Sequence, residues 1–247
     1  MIAYDDALHQ LLLHARRLEA VSCRVGEAPG EVLARDVVSP IDLPPFDHSA
    51  MDGYALYAPQ PLAAGSEHLV QGSQAAGDAR NASAGMAWEI MTGACLPVGL
   101  DTVVPVERVE LLERRNDGSP ARIRLLDEVT PAANVRYAGS DVAKGAVIAR
   151  AGTRIAASHV MLFAALGIAS VEVVRTPRIA IICTGKELQV DPTQSLGDGE
   201  IYASNGPYLA AACASLGANV LSCETVDDTG QTFIDAVQRA RRMGADL

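Results

Sequence analysis

The sequence predicts a multidomain protein of mixed class, part α+β and part α/β. Three observations point there. An amphipathic helix opens the chain, short β-branched runs fill its middle, and residues 178–247 alternate strand, helix, strand, helix. At 247 residues the chain has room for one large domain or two to three small ones.

From Tyr4 to Leu18 the apolar positions Ala7, Leu8, Leu11, Leu12, Ala15 and Leu18 recur at spacings of three and four, which predicts one buried helical face. Between Val37 and Val129 the pattern shifts to runs such as TVVPVERVELL and ARIRLL, read as strands. Asp117-Gly118 marks a tight turn between two of them. Helical spacing returns over Ala156–Leu166 and stops at Gly167, a residue free to take positive φ. RIAIICTG then reads as an apolar strand, followed by a helix that Ser204 caps ahead of Pro207 and Gly217 ends. ANVLSCETV supplies a second strand, and QTFIDAVQRARRM a helix with Phe233, Ile234, Val237 and Ala240 on one face. This is the start of a parallel α/β layer. The final ADL reads as the opening of a third strand, so Leu247 is expected to cut a domain.

Composition excludes some function classes. The formal charge of −10 disfavours nucleic acid and anionic membrane as partners, since both require clustered Lys and Arg. Lys144 and Lys186 are the only lysines. Cys23, Cys95, Cys183, Cys213 and Cys223 are odd in number and show no C-x-x-C spacing, which argues against a disulfide framework and a zinc site and fits a reducing cytoplasm. No apolar run approaches the roughly 18 residues of a membrane span.

Acids stand beside small residues in four loops: HSAMDGYA with Asp52, YAGSDVAKG with Asp141, CTGKELQ with Glu187, and TVDDTG with Asp227 and Asp228. In IMTGACLPVG, Thr92 and Gly93 offer a hydroxyl and backbone N–H groups. Glu187 and Asp227 each follow a strand at the sheet end where open α/β folds bind ligands. Several carboxylates around one space repel unless a hard cation shares it, which points to Mg²⁺ completed by phosphate oxygens and water. Any one acid in a turn is by default a turn former or helix cap, so the set carries the case. Asp47, His48 and Ser49 hold the residue types of a hydrolase triad, but neighbours in sequence do not face one another as nucleophile, base and orienter. Lys186 follows a glycine without phosphate-loop spacing. Cys183 reads as a small core group, with Cys95 the more exposed thiol.

The blocks PPFDHSAMDGYAL, IMTGACLPVGLDTVVPVE, VRYAGSDVAKG, AGTRIAASHVMLFAALGIASVEV and RIAIICTGKEL occur in one order. Together they resemble the MoeA family of molybdopterin molybdenumtransferases, whose animal relative is gephyrin. The resemblance implies molybdenum cofactor biosynthesis: adenylated molybdopterin releases AMP as molybdate enters between the dithiolene sulfurs, with Mg²⁺ assisting. It implies a cytoplasmic homodimer with its active site between subunits, a small-molecule pterin nucleotide as substrate, and a MogA-like adenylyltransferase as partner. It also implies a discontinuous helical/β dimerisation domain (1–40 and 131–176), an inserted β-rich domain (41–130) and an incomplete MogA-like α/β domain (177–247).

By position, Asp52, Thr92, Asp141, Glu187 and Asp227 match the family's catalytic residues, with Asp52, Asp141, Glu187 and Asp227 as metal ligands. Gly93, Thr184, Gly185, Ser204, Asn205 and Asp228 match pterin-nucleotide contacts. Pro44-Pro45 is expected to stiffen the loop bearing Asp52, and Gly53 to permit a turn that a side chain would obstruct. Three positions depart from the pattern: Cys95 where the family has Pro, Lys186 where it often has Asp, and Ala203 where it has Asp. The family continues into further acids, lysines and a fourth β domain, so the resemblance implies a C-terminally truncated member. The alternatives are a non-catalytic dimerising or pterin-binding module of the same family, and a small Mg²⁺-dependent phosphatase or nucleotidyltransferase.

Overall fold

Strand Gly53–Leu56 is buried on both faces, and the larger sheet of the protein is assembled around it. In the computed structural model, which describes residues 2–247, that sheet has six strands in the order Thr102–Pro105, Gly53–Leu56, Ala87–Ile90, Glu67–Gln74, Pro120–Leu125, Val109–Arg114. Every neighbouring pair is antiparallel except Glu67–Gln74 with Ala87–Ile90. Because side chains alternate along a strand, Tyr54 and Leu56 enter one apolar cluster with Val70, Val104, Ile123 and Leu125. Ala55 enters another, with Trp88, Ile90, Leu96 and Val103. The expected Asp117-Gly118 turn joins the last two strands, with Asp117 Oδ1 accepting from Ser119 N–H at 2.9 Å and Gly118 at φ +86°. These strands belong to a compact unit, Val38–Ile148.

The second unit comprises Met1–Val37 and Ala149–Leu247. Helices α1 (Tyr4–His14), α2 (Ala157–Ala165), α3 (Asn205–Ser215) and α4 (Gly230–Arg242) all lie in it. Strand Ala20–Arg24 pairs antiparallel with Ser170–Val174. Leu33, Ile155, Phe163, Leu166, Val171 and Val173 are buried in the same unit. Helix α2 closes where expected, ahead of Gly167 at φ +70°. Helix α1 departs from expectation. It ends at His14 rather than Leu18, and none of its residues is buried. Its periodicity is real, but no described residue of the chain covers the face: Leu11, Leu12 and Leu13 stay 63–65% exposed.

Strands Arg178–Thr184 and Asn219–Val226 form the predicted parallel pair, with a register shift beside Ile179. The terminal residues run alongside the first strand. Asp246 N–H donates to Arg178 O at 2.7 Å and Ala180 N–H to Leu247 O at 2.9 Å, contacts on one strand edge of the kind a further strand would make. Arg175 reinforces this arrangement, gripping Asp246 with both terminal nitrogens at 2.7 and 2.8 Å and Glu19 through Nε at 2.8 Å. The guanidinium and the Arg178 amide hold the Asp246 carboxyl well below the usual carboxylate range.

Two sequence expectations fail in this region. Ser204 occupies the N-cap position of α3, but its side chain makes no capping bond. In α4 the buried positions are Ala236 and Ala240, while Phe233 and Ile234 are 45% and 50% exposed. Small residues let the helix approach the two-stranded sheet; Phe233 shares their side but lies in the first turn, seven positions before Ala240, and Ile234 is turned about 100° from Phe233.

Candidate functional site

The loop bearing Asp52 is fixed by its neighbours. Ser49 is fully buried, its hydroxyl donating to Met51 O, and its carbonyl accepts from Gly93 N–H at 2.8 Å. Asp47 Oδ1 accepts from Ala138 N–H at 2.8 Å, tying in a segment 91 residues away. Asp47, His48 and Ser49 therefore shape the loop; the Ser49 hydroxyl is committed to backbone and no bond joins it to His48. Asp52 Oδ1 accepts from Thr92 N–H at 2.6 Å, and that bond, with help from the Thr92 side chain, holds the carboxyl below its usual range.

Gly53 is required for a different reason than a turn. It lies in a strand, and a Cβ there would sit 1.9 Å from Val104 O and 2.9 Å from Pro105 Cα. Asp52, Tyr54, Glu89, Met91 and Val106 line a cleft of about 240 Å³ at this end of the sheet. Asp141 belongs to the same unit, where Arg136 pairs with it through an Nη2–Oδ1 contact of 2.5 Å. Nothing in the sequence around VRYAGSD beyond one nearby arginine signalled that pairing.

In the other unit, a cleft of about 400 Å³ opens at the C-terminal end of strand Arg178–Thr184. Cys183, Thr184, Glu187, Tyr202, Ser204 and Asn205 are among its lining residues. Ile182, Leu188 and Leu209 give it apolar walls. Glu187 folds back over Gly185, where a Cβ would meet its carboxylate oxygens at 2.7 and 2.8 Å, so glycine leaves the space that carboxylate needs. Gly185 N–H donates to Val226 O at 3.1 Å and Lys186 N–H to Asp228 Oδ2 at 3.3 Å, which holds the two acid-bearing loops side by side.

Asp227 does something more local. Its Oδ1 accepts from Thr232 Oγ1 at 2.5 Å and from Thr229 N–H and Oγ1 at 3.0 and 2.8 Å, organising the first turn of α4. Those bonds, the Thr232 hydroxyl foremost, hold its carboxyl low.

Of the expected site residues, the structure brings Thr184, Glu187, Ser204 and Asn205 onto one cleft, with Gly185 beneath Glu187 and Asp227 and Asp228 on the adjoining loop. Asp52, Thr92 and Gly93 form a second group in the β unit, with Asp141 paired elsewhere in that unit. Among the described residues, no three His, Cys, Asp or Glu side chains are placed to hold one metal ion. Tyr202 was missed: its hydroxyl donates to Gln194 O at 2.8 Å, and no spacing marked it. Cys183 and Cys95 are both half-buried and Cys223 is exposed, so Cys95 is not the outlying thiol that was expected. Among the departures from the family pattern, Ala203 lines the cleft without bringing a charge.

A family model described as the MoeA N-terminal region (domain I and II) matches residues 2–167. The chain belongs to the MoeA family. A second model, described as a probable molybdopterin binding domain, matches residues 180–247, the part that carries the 400 Å³ cleft. A molybdopterin molybdenumtransferase 2 of Mycobacterium tuberculosis is 36% identical over 239 residues, covering 94% of this MoeA chain and 56% of the relative. A molybdopterin molybdenumtransferase of Haemophilus influenzae is 36% identical over 223 residues, covering 90% and 53%. The crystal structure of a molybdopterin biosynthesis MoeA protein from Pyrococcus horikosii superposes with a TM-score of 0.87 at 29% identity, over 100% of this chain and 62% of that one. This MoeA chain thus spans little more than half the length of the curated relatives it matches. None of its described helices is long and apolar enough to cross a membrane.

Proposed function

We propose that the chain acts in molybdenum cofactor biosynthesis as a molybdopterin molybdenumtransferase, inserting molybdate into adenylated molybdopterin with release of AMP. The observation that carries this reading is the cleft at the carboxyl end of strand Arg178–Thr184, lined by Thr184, Glu187, Ser204 and Asn205, inside the region matching a molybdopterin-binding model. Ligands of open α/β sheets bind on that side. The hydroxyls and the amide of Asn205 offer hydrogen bonds to a pterin nucleotide, and Ile182, Leu188 and Leu209 offer it apolar walls.

The available donors fit Mg²⁺ in kind, being carboxylate oxygens, and Mg²⁺ needs only one or two of these when phosphates and water complete its shell. Glu187, which lines the cleft of the α/β segment, would hold it best; in the other unit, Asp52 keeps one carboxylate oxygen that Thr92 leaves free. Asp141 and Asp227 fit less well, the first paired with Arg136 and the second occupied by its threonines. When bound, the ion supplies charge neutralisation at the pyrophosphate of the substrate. Asp52, held by Thr92, keeps one fixed carboxylate at the edge of the β sheet.

The same reading includes a cytoplasmic homodimer, a pterin nucleotide supplied by a MogA-like adenylyltransferase, and the three-part division 1–40 with 131–176, 41–130 and 177–247. The uncovered apolar face of α1 supports the dimer, since a second copy would remove Leu11 and Leu12 from water. A second reading, a non-catalytic dimerising or pterin-binding module, is favoured by the engagement of Asp141 with Arg136 and of Asp227 with its threonines, which leaves fewer carboxylates open to a substrate-bound ion.

The test is molybdate-dependent AMP release from adenylated molybdopterin. Turnover that falls in Asp52→Asn and in Glu187→Gln supports the transferase. Turnover unaffected by both removes the site assignment. Pterin-nucleotide binding without turnover selects the module.

A further inference from the structure

Two of the five cysteines share one spot in the fold. Cys183 and Cys223 lie on adjacent parallel strands, Cys223 opposite Ile181 and Cys183 two residues further on, so both project from the same face of the sheet. They meet at the first turn of α3. A Cβ added to Gly206 would stand 2.9 Å from Cys223 Sγ and 3.4 Å from Cys183 Sγ, so the absence of a side chain at this buried position leaves room for both sulfurs. Cys183 also lines the 400 Å³ cleft, which gives the pair a route from solvent, and Cys223 is itself exposed at the sheet edge.

We propose that Cys183 and Cys223 together bind one thiophilic monovalent ion of the Cu(I) class. The diagonal placement decides the chemistry. Strands about 4.8 Å apart and a two-residue offset of about 6.6 Å put the Cα atoms about 8 Å apart, beyond the reach of a disulfide. A metal clasp spans more: two metal–sulfur bonds of about 2.3 Å separate the sulfurs by about 4.6 Å. Zinc would require further ligands, and among the described residues no third His, Cys, Asp or Glu joins the pair. Thiolates select Cu(I), which is content with two of them. On binding, each thiol loses its proton to solvent and two sulfur–metal bonds form, with no change in oxidation state. The resulting bis-thiolate complex carries one negative charge beside the positive end of the eleven-residue helix α3.

This site rests on the thiols and stands independently of the transferase reading. Its test is anaerobic titration of the whole chain with Cu(I) in competition with a chromophoric Cu(I) chelator. One equivalent is expected to bind, with affinity falling by more than about tenfold in Cys183→Ser and in Cys223→Ser, since even loss of an outer-shell partner costs about that much. Gly206→Ala, which keeps both thiols, is expected to weaken binding as well. In the unaltered protein, Cu(I) should protect Cys183 and Cys223 together from alkylation while Cys23, Cys95 and Cys213 react as before. Unchanged alkylation at the pair under saturating Cu(I), or binding that survives both serine variants, would overturn the proposal.

Discussion

The β unit and the α/β segment hold their acids in different ways. In Val38–Ile148, Asp52 sits at the end of a strand buried on both faces, and its partner Thr92 comes from 40 residues away. In residues 178–247, Asp227 is held by Thr229 and Thr232, within its own turn. A carboxylate fixed by long-range contacts depends on the whole sheet, whereas one fixed by its own turn depends on a few residues. The first is therefore rigid while its core survives, and the second keeps its geometry even when the packing beneath it is modest.

The largest effect expected from this contrast is at Gly53. Gly53→Val drives a side chain into the backbone of the neighbouring strand and should cost about 4 kcal/mol or more. Urea denaturation followed by fluorescence of Trp88, the sole tryptophan and a member of that core, reads it directly. Unchanged stability would break the comparison. Next comes a pair of truncations. Ile123→Ala, at a fully buried site of the β sheet, should cost about 3–4 kcal/mol. Ile181→Ala, 7% exposed in the two-stranded layer, should cost about 2 kcal/mol, because a thinner core collapses more readily onto the cavity. Equal losses would erase the difference in packing. Thr229→Ala removes the N-cap of α4, whose side chain accepts from Thr232 N–H, and should cost about 1 kcal/mol in circular-dichroism melts.

The smallest effects are those of pH. Asp52 and Asp246 both have folded-state pKa values below their unfolded ones. Their contribution is complete above the ordinary aspartate range, shrinks progressively as pH falls below it and is gone once pH has passed through the lower folded values. Protection of the Ala180 and Thr92 amides from hydrogen exchange, relative to the unfolded chain at each pH, should therefore be full above that range and fall progressively below it. Asp246→Asn should make Ala180 exchange faster at neutral pH. If protection of both amides did not change as pH fell through and below the ordinary aspartate range, the hydrogen bonds assigned to these two acids would not be holding them.

Much of the fold was legible. Arg178–Thr184 and Asn219–Val226 were readable because a buried parallel strand is a short apolar run, and α2 because Gly167 stops it. The site was legible only in part. Glu187 and Asp227 could be placed at one sheet edge from their position after strands, and Thr184, Ser204 and Asn205 only through the family resemblance, but whether each acid is free could not be read. Asp141 has Arg136 and Asp227 has two threonines, and these pairings follow from loop geometry rather than from spacing. The same limit explains α1 and α4: period shows that a helix has an apolar side, not what covers it.

By itself, the sequence determined the kinds and order of elements and the family to which they belong, because periodicity, turn residues and contiguous blocks are local properties of a chain. Only the tertiary structure decided which carboxylates are already spent on hydrogen bonds, that Gly53 answers to Val104, and that two cysteines forty residues apart meet at Gly206. Those outcomes depend on segments brought together across tens of residues, where distance in space is set by sheet register and packing and leaves no trace in local pattern.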